Sequence, residues 1–319
     1  MPNAIKYNVS AETLALKKGN FWIGTGDVSK GPTSSTGYYN GITPPSGGYT
    51  IYLNKANNGP SIYTVTNDAQ LINLTNSIAG TSYTTVAQCL SYYDSQTDKM
   101  IFNRDYPLIV TNGLVMCLDA GFTPSYPGVG TTIYDISGNG NHGTLYNGVG
   151  YSTNSGGVLT FDGSDDLVTT SGPNLISTNY TVMGAARYTG SPKGRIINGA
   201  YSINGNNWLM GHWNNSTENY YAEGWVSPVQ AGISDTSWRI YSVNGDIVGD
   251  SYALYVNNIL SAGPNNSGNS GPNRFNIGGL GVGSESSQGE FSFLLAYNRI
   301  LTTAEMTQNY NAYKSRFGL

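Results

Sequence analysis

The chain has 319 residues and a net charge of -4 at pH 7, with a pI near 5.1; only 11% of its residues are charged, whereas it carries 42 Gly and 25 Tyr. Disorder requires low hydrophobicity together with high net charge, so this composition excludes it. The 15 Lys+Arg are thinly spread and provide no electrostatic footprint for nucleic acid or for an anionic membrane surface.

At roughly 100 to 200 residues per domain, the length predicts two domains. The opening stretch "MPNAIKYNVSAETLALKKGN" lacks a basic segment followed by ~7 to 15 apolar residues, so no signal peptide is expected. No run approaches the ~18 apolar residues of a membrane-spanning helix. Strand-like pieces follow in "FWIGTG", "YTIYLN", "SIYTVT" and "KMIFN". Between them, Asn67 is placed as an N-cap with Gln70 three residues on; Leu71, Leu74 and Ile78 keep helical spacing, and Gly80 is placed to end the helix. "TTVAQCLSYYDS" predicts a second helix with Val86, Leu90 and Tyr93 inward, and Pro44-Pro45 excludes a central strand from the long loop around it. Residues 1–108 therefore read as a small α+β domain, with "RDYPLIVTNG" as the hinge into a second domain, 109–319. Cys89 and Cys117, the only cysteines, sit in apolar runs without C-x-x-C spacing, which predicts two buried reduced thiols.

The second domain is punctuated by Asn-Gly pairs, including Asn112-Gly113, Asn139-Gly140, Asn147-Gly148, Asn198-Gly199 and Asn244-Gly245. Asn-Gly tolerates the positive φ angles of a type I′ hairpin turn, so these pairs predict hairpins in a sandwich or barrel. "GVLTFDG" and "SWRIYSVNGD" alternate, "SYALYVNNIL" alternates and then turns at Asn257-Asn258, and "FSFLLAYNRI" reads as a strand buried on both sides. At the end, Thr302 and Glu305 form a capping box, Met306, Tyr310, Tyr313 and Phe317 make one apolar stripe, and Gly318 stands where a C′ glycine belongs. A closing helix is expected there.

Four groups of residues invite a chemical reading. In "SGNGNHG", Gly138, Gly140 and Gly143 have G-x-G-x-x-G spacing, but a dinucleotide loop must open a helix that holds the pyrophosphate. "TLYNGVGYSTNSGG" has no helical periodicity, so the glycines are expected to take positive φ in a turn that Asp135 ties by accepting backbone amides. His142 and His212 have no second His or Cys nearby for zinc and no G-x-S-x-G elbow, and are expected to be structural. Asp162, Asp165 and Asp166 cluster at a strand-turn-strand junction: they suit turn hydrogen bonds, could supply oxygen ligands to a calcium ion, or could serve catalysis. No E-x-D-x-E triplet supplies the carboxyl pair that a retaining glycosidase holds ~5 to 5.5 Å apart. Trp213, Tyr220, Tyr221 and Trp225, with Trp208 and Trp238 close by, stand among Asn and Ser. They are candidate glycan contacts, since sugar rings have apolar faces and hydroxyl edges; core packing explains the same residues equally well.

The stretch "GLVMCLDAGFTPSYPGVGTTIYDISGNGNHGTLYNGVGYSTNSGGVLTFDGSDDLV" resembles the opening of the laminin-G-like, concanavalin-A-like jelly-roll domains of bacteriophage structural proteins. "LYVNN" and "LLAYNRILTTAEMTQNYNAYKSRFG" resemble the later part of that family, so the likeness covers residues 109–319 in order. It departs at Ile133-Tyr134, where a Trp-Tyr pair is commoner. The N-terminal part also resembles the leading domain of such proteins. The resemblance implies a mainly β fold, a two-sheet antiparallel jelly-roll sandwich with a short closing C-terminal helix, preceded by the small α+β domain. It implies a non-enzymatic virion protein displayed on the particle surface, on the head, neck or tail. Other virion proteins would be its partners, a host surface glycan a further one, and it would be homo-oligomeric or multicopy. It carries over no catalytic residue and no cofactor beyond the calcium candidate. A tail-fibre adhesin for host polysaccharide is the alternative expectation, and a capsule-degrading enzyme the third.

Overall fold

The computed structural model describes residues 49–55, 59–65, 68–85, 88–89, 101–103, 109–122, 125–200 and 207–319. The chain divides into two compact units, one of the residues up to Thr111 with Ile136–Gly138, the other of Asn112–Asp135 with Asn139–Leu319. In the first unit, β1 (Tyr49–Lys55) pairs antiparallel with β2 (Gly59–Val65) and with β3 (Ile101–Asn103), and α1 spans Asp68–Ala79. α1 buries Leu71 and Thr75 one turn apart, the Thr75 hydroxyl donating to the Leu71 carbonyl at 2.7 Å, and Gly80 follows it at φ 66°. "FWIGTG", the Pro44-Pro45 loop, Asn67 and most of the second helix lie outside the described residues. Cys89 and Cys117 are both free and buried. Among the described residues no helix is long and apolar enough to cross a membrane.

The second unit contains β4 (Leu114–Asp119), β5 (Thr132–Ile133), β6 (Gly143–Tyr146), β7 (Gly150–Ser152), β8 (Val158–Asp162), β9 (Leu167–Thr170), β10 (Tyr180–Lys193) and β11 (Ile197–Gly199). They are followed by β12 (Trp208–Trp213), β13 (Ser216–Ala222), β14 (Arg239–Asp246), β15 (Ser251–Val256), β16 (Ile259–Asn265), β17 (Phe275–Ile277), β18 (Ser287–Tyr297) and α2 (Thr303–Tyr313). One sheet has the order β16-β15-β14-β10-β18-β8-β7, with β4 also paired to β18; the other has the order β13-β12-β11-β17-β9-β6-β5. The pairings are antiparallel, and the result is a mainly β, two-sheet sandwich of the jelly-roll type with one closing helix.

Alternation decides which side chains fill the space between the sheets. Trp208, Met210, Tyr220 and Ala222 from one sheet meet Tyr180, Val182, Tyr241 and Leu254 from the other. The polar tips of the large aromatics are satisfied inside: Trp208 Nε1 donates to Tyr180 Oη at 3.0 Å, the Tyr180 and Tyr220 hydroxyls lie 2.7 Å apart, and Tyr180 Oη donates to the Ser270 carbonyl. The outer face of the β18 sheet is closed by α2, so β18 is buried on both sides, as its uninterrupted apolar run predicts. Phe293 stacks on Tyr313 at 3.8 Å, and Asn309 donates to the Tyr297 hydroxyl at 2.9 Å. The capping box forms as expected, Thr302 N–H bonding Glu305 at 2.9 Å, and Glu305 also takes a bidentate bond from Arg299. The inward stripe differs in one position. Asn309 is fully buried where Tyr310 was expected, because the Tyr297 hydroxyl gives its amide a partner.

The turns also differ in part from expectation. Asn198-Gly199 and Asn244-Gly245 lie inside β11 and β14, where a Cβ on Gly245 would come 2.4 Å from the Tyr180 ring. That glycine makes room for an aromatic. Asn147 and Gly148 have positive φ, yet they lead from β6 in one sheet to β7 in the other and close no hairpin. The hairpins β12–β13 and β15–β16 are closed by the left-handed pairs Asn214-Asn215 and Asn257-Asn258, since Asn reaches αL at small cost.

Candidate functional site

The glycine-rich loop is a scaffold element. Asp135 accepts the Cys117 N–H at 2.8 Å with one oxygen and the Asn141 N–H at 2.9 Å with the other, while its own N–H donates to His142 Nδ1 at 2.9 Å. Gly138 and Gly140 have φ of 93° and 73°, as the turn requires. Gly143 has no positive φ: it starts β6, and a Cβ there would come 2.7 Å from Ile133 and 2.9 Å from Val168. Its role is close packing, which corrects the expectation for that glycine. His142 is thereby fixed as an acceptor for the backbone. His212 is wholly buried between the sheets, edge-on to Tyr188 and Tyr241, and burial pushes its imidazole down to about 3. Among the described residues neither imidazole is hydrogen-bonded to a serine or cysteine; the His212 ring faces the Tyr241 hydroxyl, which donates to the Thr217 carbonyl at 2.8 Å.

The three aspartates do come together. One ligand oxygen from each of Asp162, Asp165 and Asp166 lies within 4.8 Å of the others. Asp162 Oδ1 accepts the Ser164 N–H at 2.7 Å and Asp166 Oδ2 accepts the Asp162 N–H at 2.9 Å, the bonds expected of a tight turn. Burial pushes the Asp166 carboxyl above its ordinary range, and the neighbouring charges of Asp162 and Asp165 act in the same direction. The oxygen donors suit a hard cation such as calcium, but one turn supplies fewer than the ~6 to 8 oxygens such an ion takes. Carbonyls or water would have to complete the shell.

The four candidate aromatic contacts separate. Tyr220 is fully buried, its hydroxyl bonded to Tyr180, so it belongs to the core and is withdrawn as a glycan contact. Successive residues of a strand point to opposite faces, and "NYYA" therefore sends Tyr220 in and Tyr221 out. Tyr221, Trp225 and Trp213 are half-buried and adjacent: Trp213 and Trp225 have ring centroids 5.0 Å apart, Tyr221 and Trp225 5.1 Å. Tyr221 and Trp225 are also joined by a backbone bridge. They end a transverse row on the outer face of the sheet that runs, by register, from Thr144 through Thr169, Asn276, Asn198 and Leu209 to Tyr221. Asn198 is fully buried in that row; its amide donates to the Asn276 and Gly279 carbonyls, and its Oδ1 has no partner among the described residues.

Beside the aromatic trio lies a polar network that the sequence did not reveal. Arg195, nearly buried, donates to Glu285 Oε2 at 2.6 Å and to Asn207 Oδ1 at 2.6 Å. The same Glu285 oxygen accepts Trp213 Nε1 at 2.9 Å, and Glu223 accepts the Asn207 N–H. Arg195 and Glu285 stand 90 positions apart, so no local spacing signals the pair. Trp213 and Glu285 border an open cleft of about 540 Å³, whose other walls include Ser164, Lys193, Asn214, Asn215 and Ser286.

No family model and no curated protein matches the chain. Among solved structures it is similar to domain 4 of AbnA, a GH43 extracellular arabinanase from Geobacillus stearothermophilus, in complex with arabinotriose (TM-score 0.48, 16% identity, 63% of this chain and 98% of that one). It is also similar to the receptor binding domain of botulinum neurotoxin C/D mosaic serotype (TM-score 0.48, 13% identity, 63% of this chain and 52% of that one). A third is Trypanosoma rangeli sialidase in complex with sialic acid (TM-score 0.46, 16% identity, 65% of this chain); this chain spans 34% of the sialidase's length. Likenesses of this order concern the β-sandwich alone.

Proposed function

We propose that the chain is a non-enzymatic structural protein of a bacteriophage virion, displayed in several copies on the particle surface. In this reading residues 1–108 dock onto other virion proteins and residues 109–319 form the outward jelly roll. The observation that supports it is the use made of the motif residues that carry the resemblance. Asp119 accepts Arg316 Nη1 with both carboxylate oxygens and the Gly121 N–H with one of them; Asp135 takes two backbone amides; Gly121 and Gly157 leave no space for a Cβ. Residues so engaged build a scaffold. Repetition on a symmetric particle multiplies weak contacts, so neither docking nor glycan contact need be strong per copy. An antibody raised against the full chain should label intact particles in immunogold micrographs. Finding the protein in infected-cell lysate but never on purified particles would refute the reading.

The aromatic trio favours a second reading, a tail-fibre adhesin for host surface polysaccharide. Trp213, Tyr221 and Trp225 are half-exposed and packed on one another, on the face of the strand pair opposite the core-facing Trp208 and Tyr220. Adsorption of particles to host cells should then fall when the trio is disrupted.

A further inference from the structure

We infer that Trp213, backed by Trp225 and Tyr221, is the platform of a binding site for a neutral oligosaccharide, and that Glu285 is the residue that positions it. This rests on the adhesin reading and adds the ligand's chemistry and the positioning group to it.

The indole of Trp213 is held at two points. Its N–H donates to Glu285 Oε2, and its ring packs against Trp225 at 5.0 Å with the planes 48° apart. Trp225 is in turn held edge-on by Tyr221 and by their backbone bridge. Glu285 does not swing freely, because the oxygen that receives the indole also receives Arg195, a guanidinium whose side chain is only 5% exposed and which is anchored again on Asn207. A charge-assisted bond of 2.6 Å to a buried arginine makes an exposed glutamate into a fixed post. An aromatic ring ordered before its ligand arrives loses little entropy on binding.

The cleft that Trp213 borders has the composition a sugar chain needs. Its about 540 Å³ falls within the range of roughly 300 to 1,000 Å³ typical of small-ligand clefts. An apolar face is supplied by the indole; hydrogen-bonding groups are supplied by the exposed amides of Asn214 and Asn215 and by Ser286. Ser286 is 8% exposed, and its hydroxyl has no partner among the described residues. A buried hydroxyl left without a partner is costly, and a ligand hydroxyl in the cleft would satisfy it.

Charge selects the class of sugar. Glu285 is neutralised by Arg195, and the cleft's remaining cation, Lys193, is engaged with Ser234 Oγ at 2.8 Å and lies over the Tyr188 ring. At the rim, Gly163 and Ser164 belong to the turn that displays the exposed carboxylates of Asp162 and Asp165. Lys193 directs its charge at Ser234 and the Tyr188 ring, so an acidic sugar finds no free cation among the lining residues. The carboxylates of Asp162 and Asp165, next to the lining residues Gly163 and Ser164, disfavour uronates and sialates against neutral hexoses and deoxyhexoses.

The test uses the full chain against immobilised hexasaccharides of glucose, galactose, mannose and rhamnose, with oligogalacturonate and oligosialate as acidic probes. The expected result is binding of at least one neutral probe with a change in tryptophan emission, and no binding of the acidic ones. Trp213→Ala should weaken that binding at least about tenfold, the loss typical of a central aromatic contact. Glu285→Ala should weaken it by several-fold, whereas Glu285→Gln, which keeps an acceptor for the indole N–H but loses the charge that Arg195 grips, should lose clearly less than the Ala variant. Equal losses in the Ala and Gln variants at unchanged thermal midpoint would overturn the positioning role. Binding of neutral probes that survives Trp213→Ala, or binding of the acidic probes alone, would overturn this site and leave the adhesin reading standing. A chain that binds none of the probes would remove both.

Discussion

The segment from Leu114 to Asp162 and the segment from Asn207 to Trp225 are both rich in Asn, Gly and aromatics, yet they use them in opposite ways. In the first, Asp119 and Asp135 are closed on partners within the sandwich, Gly121, Gly143 and Gly157 are packed too closely for a Cβ, and Asn139 and Asn141 donate to the Leu114 and Val115 carbonyls. In the second, one face of the strand pair feeds the core while the other carries half-exposed rings beside a cleft. The same residue types thus build a framework where they close on the interior of the sandwich, and a contact surface where the rings of Trp213, Tyr221 and Trp225 and the amides of Asn214 and Asn215 stay at the surface. A motif dense in glycine and asparagine is a sign of structure until its hydrogen bonds have been followed.

The contrast can be broken most strongly inside the core. Trp208→Ala removes a fully buried indole and the bond to Tyr180, and should cost about 3 to 5 kcal/mol in a denaturant titration. Asp135→Ala, which orphans the buried Cys117 N–H and the Asn141 N–H, should cost about 3 kcal/mol in the same titration. A loss no larger than that of an exposed residue would mean that the loop is not the framework described.

His212 supplies a pH-dependent test. The unfolded chain takes up a proton on this imidazole near its ordinary value of 6.5, whereas the folded chain does so only near about 3. Its contribution to stability is therefore complete above pH 6.5 and is lost, at about 1.4 kcal/mol per pH unit, as the pH falls from there toward 3. Denaturant titrations of the parent and of His212→Phe between pH 4 and pH 8 should diverge with this slope, the variant being the flatter. The smallest effect is expected at the surface: Trp213→Ala should change stability by less than about 1 kcal/mol, because its ring is half-exposed, even where it abolishes glycan binding. A stability loss like that of Trp208→Ala would assign Trp213 to the framework.

Local rules made much of the fold readable. The capping box at Thr302 and Glu305, the double-sided burial of β18 and the amide-accepting Asp135 each follow from residues close in sequence. Parity along "NYYA" separates Tyr220 from Tyr221 before any coordinates are known, once a strand is assumed. Other features were beyond local reading. Gly143 and Gly245 look like turn residues and are in fact strand residues, because the reason for each is a side chain arriving from another strand: Ile133 and Val168 in one case, Tyr180 in the other. The Arg195–Glu285 pair exists because β10 lies beside β18, Lys193 opposite Ser287, and the backbone just beyond continues that pairing, the Arg195 N–H donating to the Glu285 carbonyl at 2.8 Å.

The clasp between Asp119 and Arg316 joins positions 197 apart, and among the described strands β4 pairs with β18 alone. The consequence is one of timing. One edge of this strand is met early, by Asp135, Asn139 and Asn141, but its strand partner arrives only when almost the whole domain has left the ribosome, so that pairing has a high contact order and forms slowly. During that wait the edge of β4 that β18 will cover, on a strand whose Met116, Cys117 and Leu118 are destined for full burial, is open to capture by nascent neighbours.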